Sequence, residues 1–242
     1  MLSQDFSELK TVSDGVRIHA LKGLAVLSKY LGIYDLFKAL KRRYGLKWSG
    51  KTTDELVIDQ LNKVQDEDEI FKWIRQVKTI RPELSDFMDL IGVSGLRFAE
   101  AVNSYNLIID LASQGRLNDY YDCEKRTLEH YKFKTRFIRK SKKAFISFVP
   151  RDLVKRVSAH KTISSNAIQK QVQRAELHSR FGDIREAHSS YLTKYLRQAE
   201  IDFLHGRVSA SVFMKNYFNP SLIVDLQERT FKAIEGISEG VT

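Results

Sequence analysis

Apolar residues recur at helical spacing along most of this chain. Residues 16–31 place Ile18, Leu21, Leu24, Ala25, Leu27 and Leu31 on one face, with position 28 beside them, and that repeat predicts an amphipathic helix. A second helix is expected over 34–44, with Leu36, Phe37 and Leu40 inward and Lys38, Lys41, Arg42 and Arg43 outward. Thr53 is the expected N-cap of a third, because Asp54 and Glu55 follow in its first turn. A fourth covers 66–77 with Ile70, Phe71, Ile74 and Val77 inward. Pro82 then opens a new segment, since proline suits a first helical position, and a domain boundary is expected near Thr79. Helices follow over 82–96 and 105–112. Between 120 and 149 the pattern changes. Leu128, Tyr131, Phe133, Phe137, Phe145, Ile146 and Phe148 favour strands, and RKSKK at 139–143 reads as the turn of a β-hairpin. Pro150 ends it. Helices return over 152–159, 165–177, 183–200, 208–217 and 220–234.

These elements predict a mainly α fold with a small antiparallel β-sheet (α+β). A helical domain covers residues 1–79 and a second domain residues 80–242. The 242 residues suffice for a sizeable core. At 43% hydrophobic and 29% charged, the composition is that of a folded domain.

Charge narrows the function. The formal net charge is +10, which draws polyanions over a Debye length and raises encounter rates with them. Nucleic acid fits better than a membrane surface. No apolar run approaches the roughly 20 residues that span a bilayer, and the first residues lack a signal-peptide pattern, so a cytoplasmic protein is expected. Cys123 is the only cysteine and reads as structural, with no disulfide to form. The histidines are scattered without metal-ligand spacing, so neither metal nor cofactor is expected. Residues 126–143 hold eight Lys or Arg against one acid, Glu129, with aromatics between them. A charge run is most often a solvated face, but this bias exceeds what solubility needs and suggests contact with a nucleic-acid backbone.

Cutting a phosphodiester without a metal needs fixed cations on the non-bridging oxygens, a nucleophile and a proton donor for the leaving oxygen. Arginine suits the first task, because its planar fork binds phosphate bidentately. The chain carries SGLRFAE at 94–100, DIR at 183–185, FLHGR at 203–207 and SVFMKNY at 211–217, in that order. Each alone is weak. A lone arginine is usually solvated or ion-paired, and Tyr217 among Phe213, Met214 and Phe218 would pass for a core residue.

The ordered set resembles the tyrosine recombinase (phage integrase) family, and FLHGR…SVFMKNYFNP looks most like integrases of archaeal viruses and plasmids. The resemblance covers roughly residues 80–225. It implies a site-specific recombinase that integrates or excises a mobile element, with Arg97, Arg185 and Arg207 on the scissile phosphate and Tyr217 as nucleophile. Glu100 would orient the site. The general acid would come from Lys140, Lys142 or Lys143, with Lys142 favoured. Lys38, Arg42, Arg43, Arg136, Arg139, Lys140 and Lys143 would contact double-stranded DNA, clamped by the two domains. The protein would be monomeric when free and tetrameric in synapsis, with residues 220–236 docking on a neighbouring protomer when protomers meet on DNA and packing in cis or loosely in the free protein. His205 is expected to be a packing or secondary-site residue. One departure stands out. Where the family often has His or Lys three residues before the second arginine, this chain has Gly182, so that role is either lost or filled by a neighbour such as Arg180 or His178. A type IB-like topoisomerase and a catalytically impaired DNA-binding relative are the alternatives.

Overall fold

The structure is a computed structural model that describes residues 5–48, 52, 54–55, 58, 67–139, 142–207 and 225–242. The chain divides into two compact units, Met1–Gln65 and Asp66–Thr242. No helix among the described residues is long and apolar enough to cross a membrane.

In the first unit, α1 (Asp14–Tyr30) and α2 (Tyr34–Arg43) pack together. Leu21, Ala25, Phe37, Leu40, Leu46 and Phe6 form their core. Ser28 is buried on the same face and donates its hydroxyl to the Ala25 carbonyl, 2.9 Å away. The expected cap Thr53 lies outside the described residues. The described capping pair is Thr52 and Glu55: Glu55 N–H donates to Thr52 Oγ1 at 3.2 Å, and Thr52 N–H donates to the Glu55 carboxylate at 2.6 Å. A capping box needs its acid three residues after the cap, and Glu55 meets that from Thr52.

The second unit begins earlier than the sequence suggested. Helix α3 (Glu67–Ile80) sends Ile70, Phe71, Trp73, Ile74 and Val77 into the larger core. The units therefore part at residues 65 and 66 rather than near Thr79. After a 3-10 turn at Pro82–Leu84 come α4 (Ser85–Ser94) and α5 (Phe98–Ser113). Asp122 then turns the chain by accepting the N–H groups of Glu124 and Lys125, each at 3.0 Å. The sheet is β1 (Tyr121–Asp122), β2 (Thr127–Leu128) and β3 (Ser147–Phe148), antiparallel with β2 in the middle. Tyr121 faces Leu128, and Leu128 faces Ser147.

The small sheet was expected, but its hairpin turn is at 123–126. Tyr131 and Phe133 lie in a 3-10 turn, and Phe137 in the single helical turn Lys134–Phe137. Burial explains this: the Phe137 ring centroid sits 4.6 Å from that of His130 and 6.0 Å from that of Tyr120, which a flat strand would not allow. The 139–143 turn keeps one bridge, Ile138 to Lys143, and Arg139 N–H donates to the Lys142 carbonyl at 2.8 Å.

Four more helices complete the unit: α6 (Arg151–Ser158), α7 (Ser165–Arg174), α8 (Phe181–Leu192) and α9 (Gln198–Leu204). The single helix expected over 183–200 is thus two. Glu200 restarts it by accepting the Arg197 N–H at 2.7 Å. The helix expected over 208–217 lies outside the described residues. The last helix, α10 (Leu226–Val241), buries Leu226, Phe231, Ile234, Ile237 and Val241 against α3, α4 and α8. Arg229 ties it to buried Glu200 at 2.7 and 2.9 Å. In this single chain the helix packs in cis, as expected of the free protein, and forms part of the core of its own unit.

Candidate active site

Two aromatic residues bring the arginines together. Phe98, at the start of α5, stacks on Phe181, at the start of α8, with ring centroids 4.3 Å apart. Trp73 meets Phe181 edge-on at 5.3 Å and donates its indole N–H to the His178 carbonyl at 3.0 Å. Arg97 precedes Phe98, and Arg185 follows Phe181 by one turn, so both side chains leave neighbouring helix starts. Gly95 makes the approach possible. Its φ of 58° is left-handed, which glycine adopts without strain, and a Cβ there would overlap the His188 ring.

Arg97 is held by Glu100. The guanidinium donates to both carboxylate oxygens, at 2.9 and 3.2 Å, and the Arg97 backbone N–H donates to one of them at 3.2 Å. Glu100 is fully buried, so this charge is paired where water cannot help it. Arg97 also donates to the Lys143 carbonyl at 3.4 Å. Among the described residues, Arg185 has no carboxylate of its own. It donates to the Gly95 carbonyl at 2.6 Å and to the His205 carbonyl. Burial, with Arg97 and Arg207 nearby, pulls its pKa down to about 10, against the opposing pull of Glu100. Its guanidinium therefore stays charged at neutral pH. Arg207 follows α9, is half exposed, and stands 4.0 Å from Asp202; its charge is felt at Arg185 and His205. Three guanidiniums against two carboxylates, Glu100 and Asp202, leave the cluster cationic, an arrangement that suits an oxyanion.

A family model described as archaeal phage integrase matches residues 62–232. The chain belongs to the archaeal phage integrase family. No curated protein and no solved structure matches it.

Integrase-family chemistry draws attention to the basic turn. Lys142 is exposed, and Lys143 is half-buried with its carbonyl against Arg97 and the backbone of Gly206. Gly206 has φ 60° and no room for a Cβ at that carbonyl. Lys140 and Tyr217 lie outside the described residues. Arg139, expected on DNA, reaches Glu100 at 3.6 Å while remaining 48% exposed, so it faces both ways. Arg136 is exposed. In the first unit, Lys38, Arg42 and Arg43 are exposed on α2; Lys38 pairs with Asp35 at 2.6 Å, and Arg43 lies 5.8 Å from the Tyr44 ring centroid.

Gly182 opens α8, and a side chain there would have open space. Arg180 is engaged by Asp183 at 3.0 Å and Glu69 at 3.6 Å. The sequence missed His188 altogether. It is buried one turn beyond Arg185, and its Nδ1 lies 2.9 Å from His205 Nε2. Its spacing from Arg185 was the available signal, but buried histidines at helical spacing are usually core. Among the described residues no cluster of His, Cys, Asp and Glu could hold a metal ion.

Proposed function

We propose that this integrase-family chain is a site-specific DNA recombinase that cuts and rejoins strands to integrate or excise a mobile element. Arg97, Arg185 and Arg207 hold the scissile phosphate. The Tyr217 hydroxyl attacks phosphorus and loses its proton, and the bond to the 5′ oxygen breaks. Lys142 protonates that oxygen, leaving a 3′-phosphotyrosine and a free 5′ hydroxyl. Attack by a new 5′ hydroxyl reverses these steps and releases Tyr217, so no external energy source is needed. Fixed cations aimed at the developing charge supply much of the rate. Exposed Lys and Arg of both units contact the backbone of double-stranded DNA, and four protomers meet in the synapse.

The observation that carries this reading is the convergence of Arg97, Arg185 and Arg207 from three separate chain segments, around the Arg185 guanidinium, which pairs with no carboxylate among the described residues. The test uses nicked suicide duplexes covering the DNA that flanks its own gene. Wild-type protein is expected to become covalently attached, with the adduct mapping to Tyr217. Tyr217→Phe is expected to bind the same DNA and form no adduct, because only the hydroxyl can make the link. An adduct on another residue would overturn the assignment. Gly182 favours a second reading, a DNA-binding relative with weakened catalysis; specific binding without any adduct would select it.

A further inference from the structure

Arg185 rests on two carbonyls, and one imidazole touches the residues that supply both. The ring of His188 lies against Gly95, so closely that a Cβ there would overlap it. On its other side it meets His205 edge to edge, with ring centroids 5.1 Å apart and planes at 28°. Gly95 and His205 are the residues whose carbonyls accept from Arg185.

Hydrogen bonding fixes where the protons are. His188 Nε2 lies 3.1 Å from the Val93 carbonyl. A carbonyl can only accept, so Nε2 carries the hydrogen. In a neutral ring Nδ1 is then bare, and its 2.9 Å contact requires His205 Nε2 to be the donor. His205 Nδ1 is left bare in turn, and it finds no partner among the described residues. A proton added to His188 Nδ1 would set two N–H groups face to face. The charged groups surrounding the pair are Arg97 and Glu100 at the start of α5, Arg185 on α8, and Arg207 with Asp202 after and on α9; Lys143 adds a backbone carbonyl.

We propose that His188 and His205 are positioning residues for Arg185, a neutral pair in a single tautomer whose imidazole–imidazole hydrogen bond sets the two carbonyls that aim the guanidinium. This rests on the reading of Arg185 as a phosphate-binding residue. The pair touches no reacting atom and acts through Arg185 alone. A misplacement of about 1 Å at a reacting centre can cost on the order of a hundredfold in rate, so loosening the pair weakens cutting before it weakens binding.

Two measurements test this. In full-length protein with ¹⁵N-labelled histidine, both rings are expected to show a protonated Nε2 and a bare Nδ1, unchanged from pH 8 to pH 5; assignment comes from His188→Gln and His205→Gln. A ring that titrates near its ordinary pKa of about 6.5, or shows the other tautomer, would overturn the proposal. The second measurement is single-turnover adduct formation. His205→Phe keeps an aromatic ring but loses the donor, and is expected to slow cutting by roughly tenfold to a hundredfold with DNA affinity changed by less than about threefold. His205→Gln can still donate to His188 Nδ1 and is expected to recover most of the rate. Equal rates for Phe and wild type, or for Phe and Gln when both are slow, would refute the positioning role. Should His205→Phe not fold, the Gln variant and the spectra decide. Absence of any wild-type adduct would instead select the reading of a DNA-binding relative with weakened catalysis, and the tautomer measurement would stand apart from it.

Discussion

Arg185 donates to two backbone carbonyls, and that geometry belongs to a fork rather than a point charge. A lysine ammonium keeps the charge but cannot span both acceptors and still face a phosphate. Arg185→Lys and Arg97→Lys are each expected to lower the rate of adduct formation by on the order of 10²–10³, measured in single turnover on the suicide duplex. A variant cutting within about threefold of wild type would remove that arginine from the phosphate. At this scale the sequence was informative because order carries meaning. The boxes at 94–100, 183–185 and 203–207 marked the arginines that the structure gathers. The His188–His205 contact was illegible, because pairing two rings requires knowing how α8 and α9 meet. The Arg139–Glu100 contact was hidden for the same reason.

Among the elements, α10 carries the most weight for the fold of the free chain. Its spacing suggested an amphipathic tail, and periodicity alone cannot say against which chain the apolar face is buried. Here that face is covered by α3, α4 and α8, and Arg229 on the same helix neutralises Glu200, which is 3% exposed. The carboxyl of Glu200 is held below its ordinary pKa mainly by this partner. Burying Leu226, Phe231, Ile234, Ile237 and Val241 at about 1.5–3 kcal/mol each is comparable with the whole stability of a domain, ~5–15 kcal/mol. Deleting residues 226–242 is therefore expected to abolish the cooperative thermal transition of the second unit, followed by circular dichroism. A truncated chain that still melts cooperatively and binds one DNA site would restore the tail as an assembly element. The misplaced hairpin has a related cause: aromatics at strand-like spacing satisfied burial through helical turns at 130–137 instead.

Across the whole molecule, buried neutral histidines set a pH dependence. His130 lies between Tyr120 and Ser147, with a pKa brought down by burial to about 3, and burial likewise brings His188 to about 4. Burial and the neighbouring His188 and arginines depress His205 as well. In the unfolded chain each would titrate near 6.5. Below that pH the unfolded state binds more protons than the folded one, so stability falls as pH drops. The loss is complete for His188 near pH 4 and continues toward pH 3 for His130. Each histidine contributes at most about 1.4 kcal/mol per pH unit across its window. Thermal melts are expected to show a steady fall in Tm from pH 7 to pH 4, beginning before carboxylates protonate. A Tm that holds level down to pH 4.5 would mean that the histidines are not buried neutral. Most of the two-unit, mainly helical plan was legible from periodicity. The boundary was not, because α3 looks the same whichever core receives it.

The open space at Gly182 has a practical corollary. Glycine in a helix costs roughly 0.5–1 kcal/mol relative to alanine, and nothing described here would crowd the methyl group. Gly182 lies in the first turn of α8, where a methyl group meets no neighbour within 4 Å. Gly182→Ala is expected to raise Tm by about 1–4 °C, which gives a sturdier background in which damaging substitutions around Arg185 can be studied while the protein stays folded.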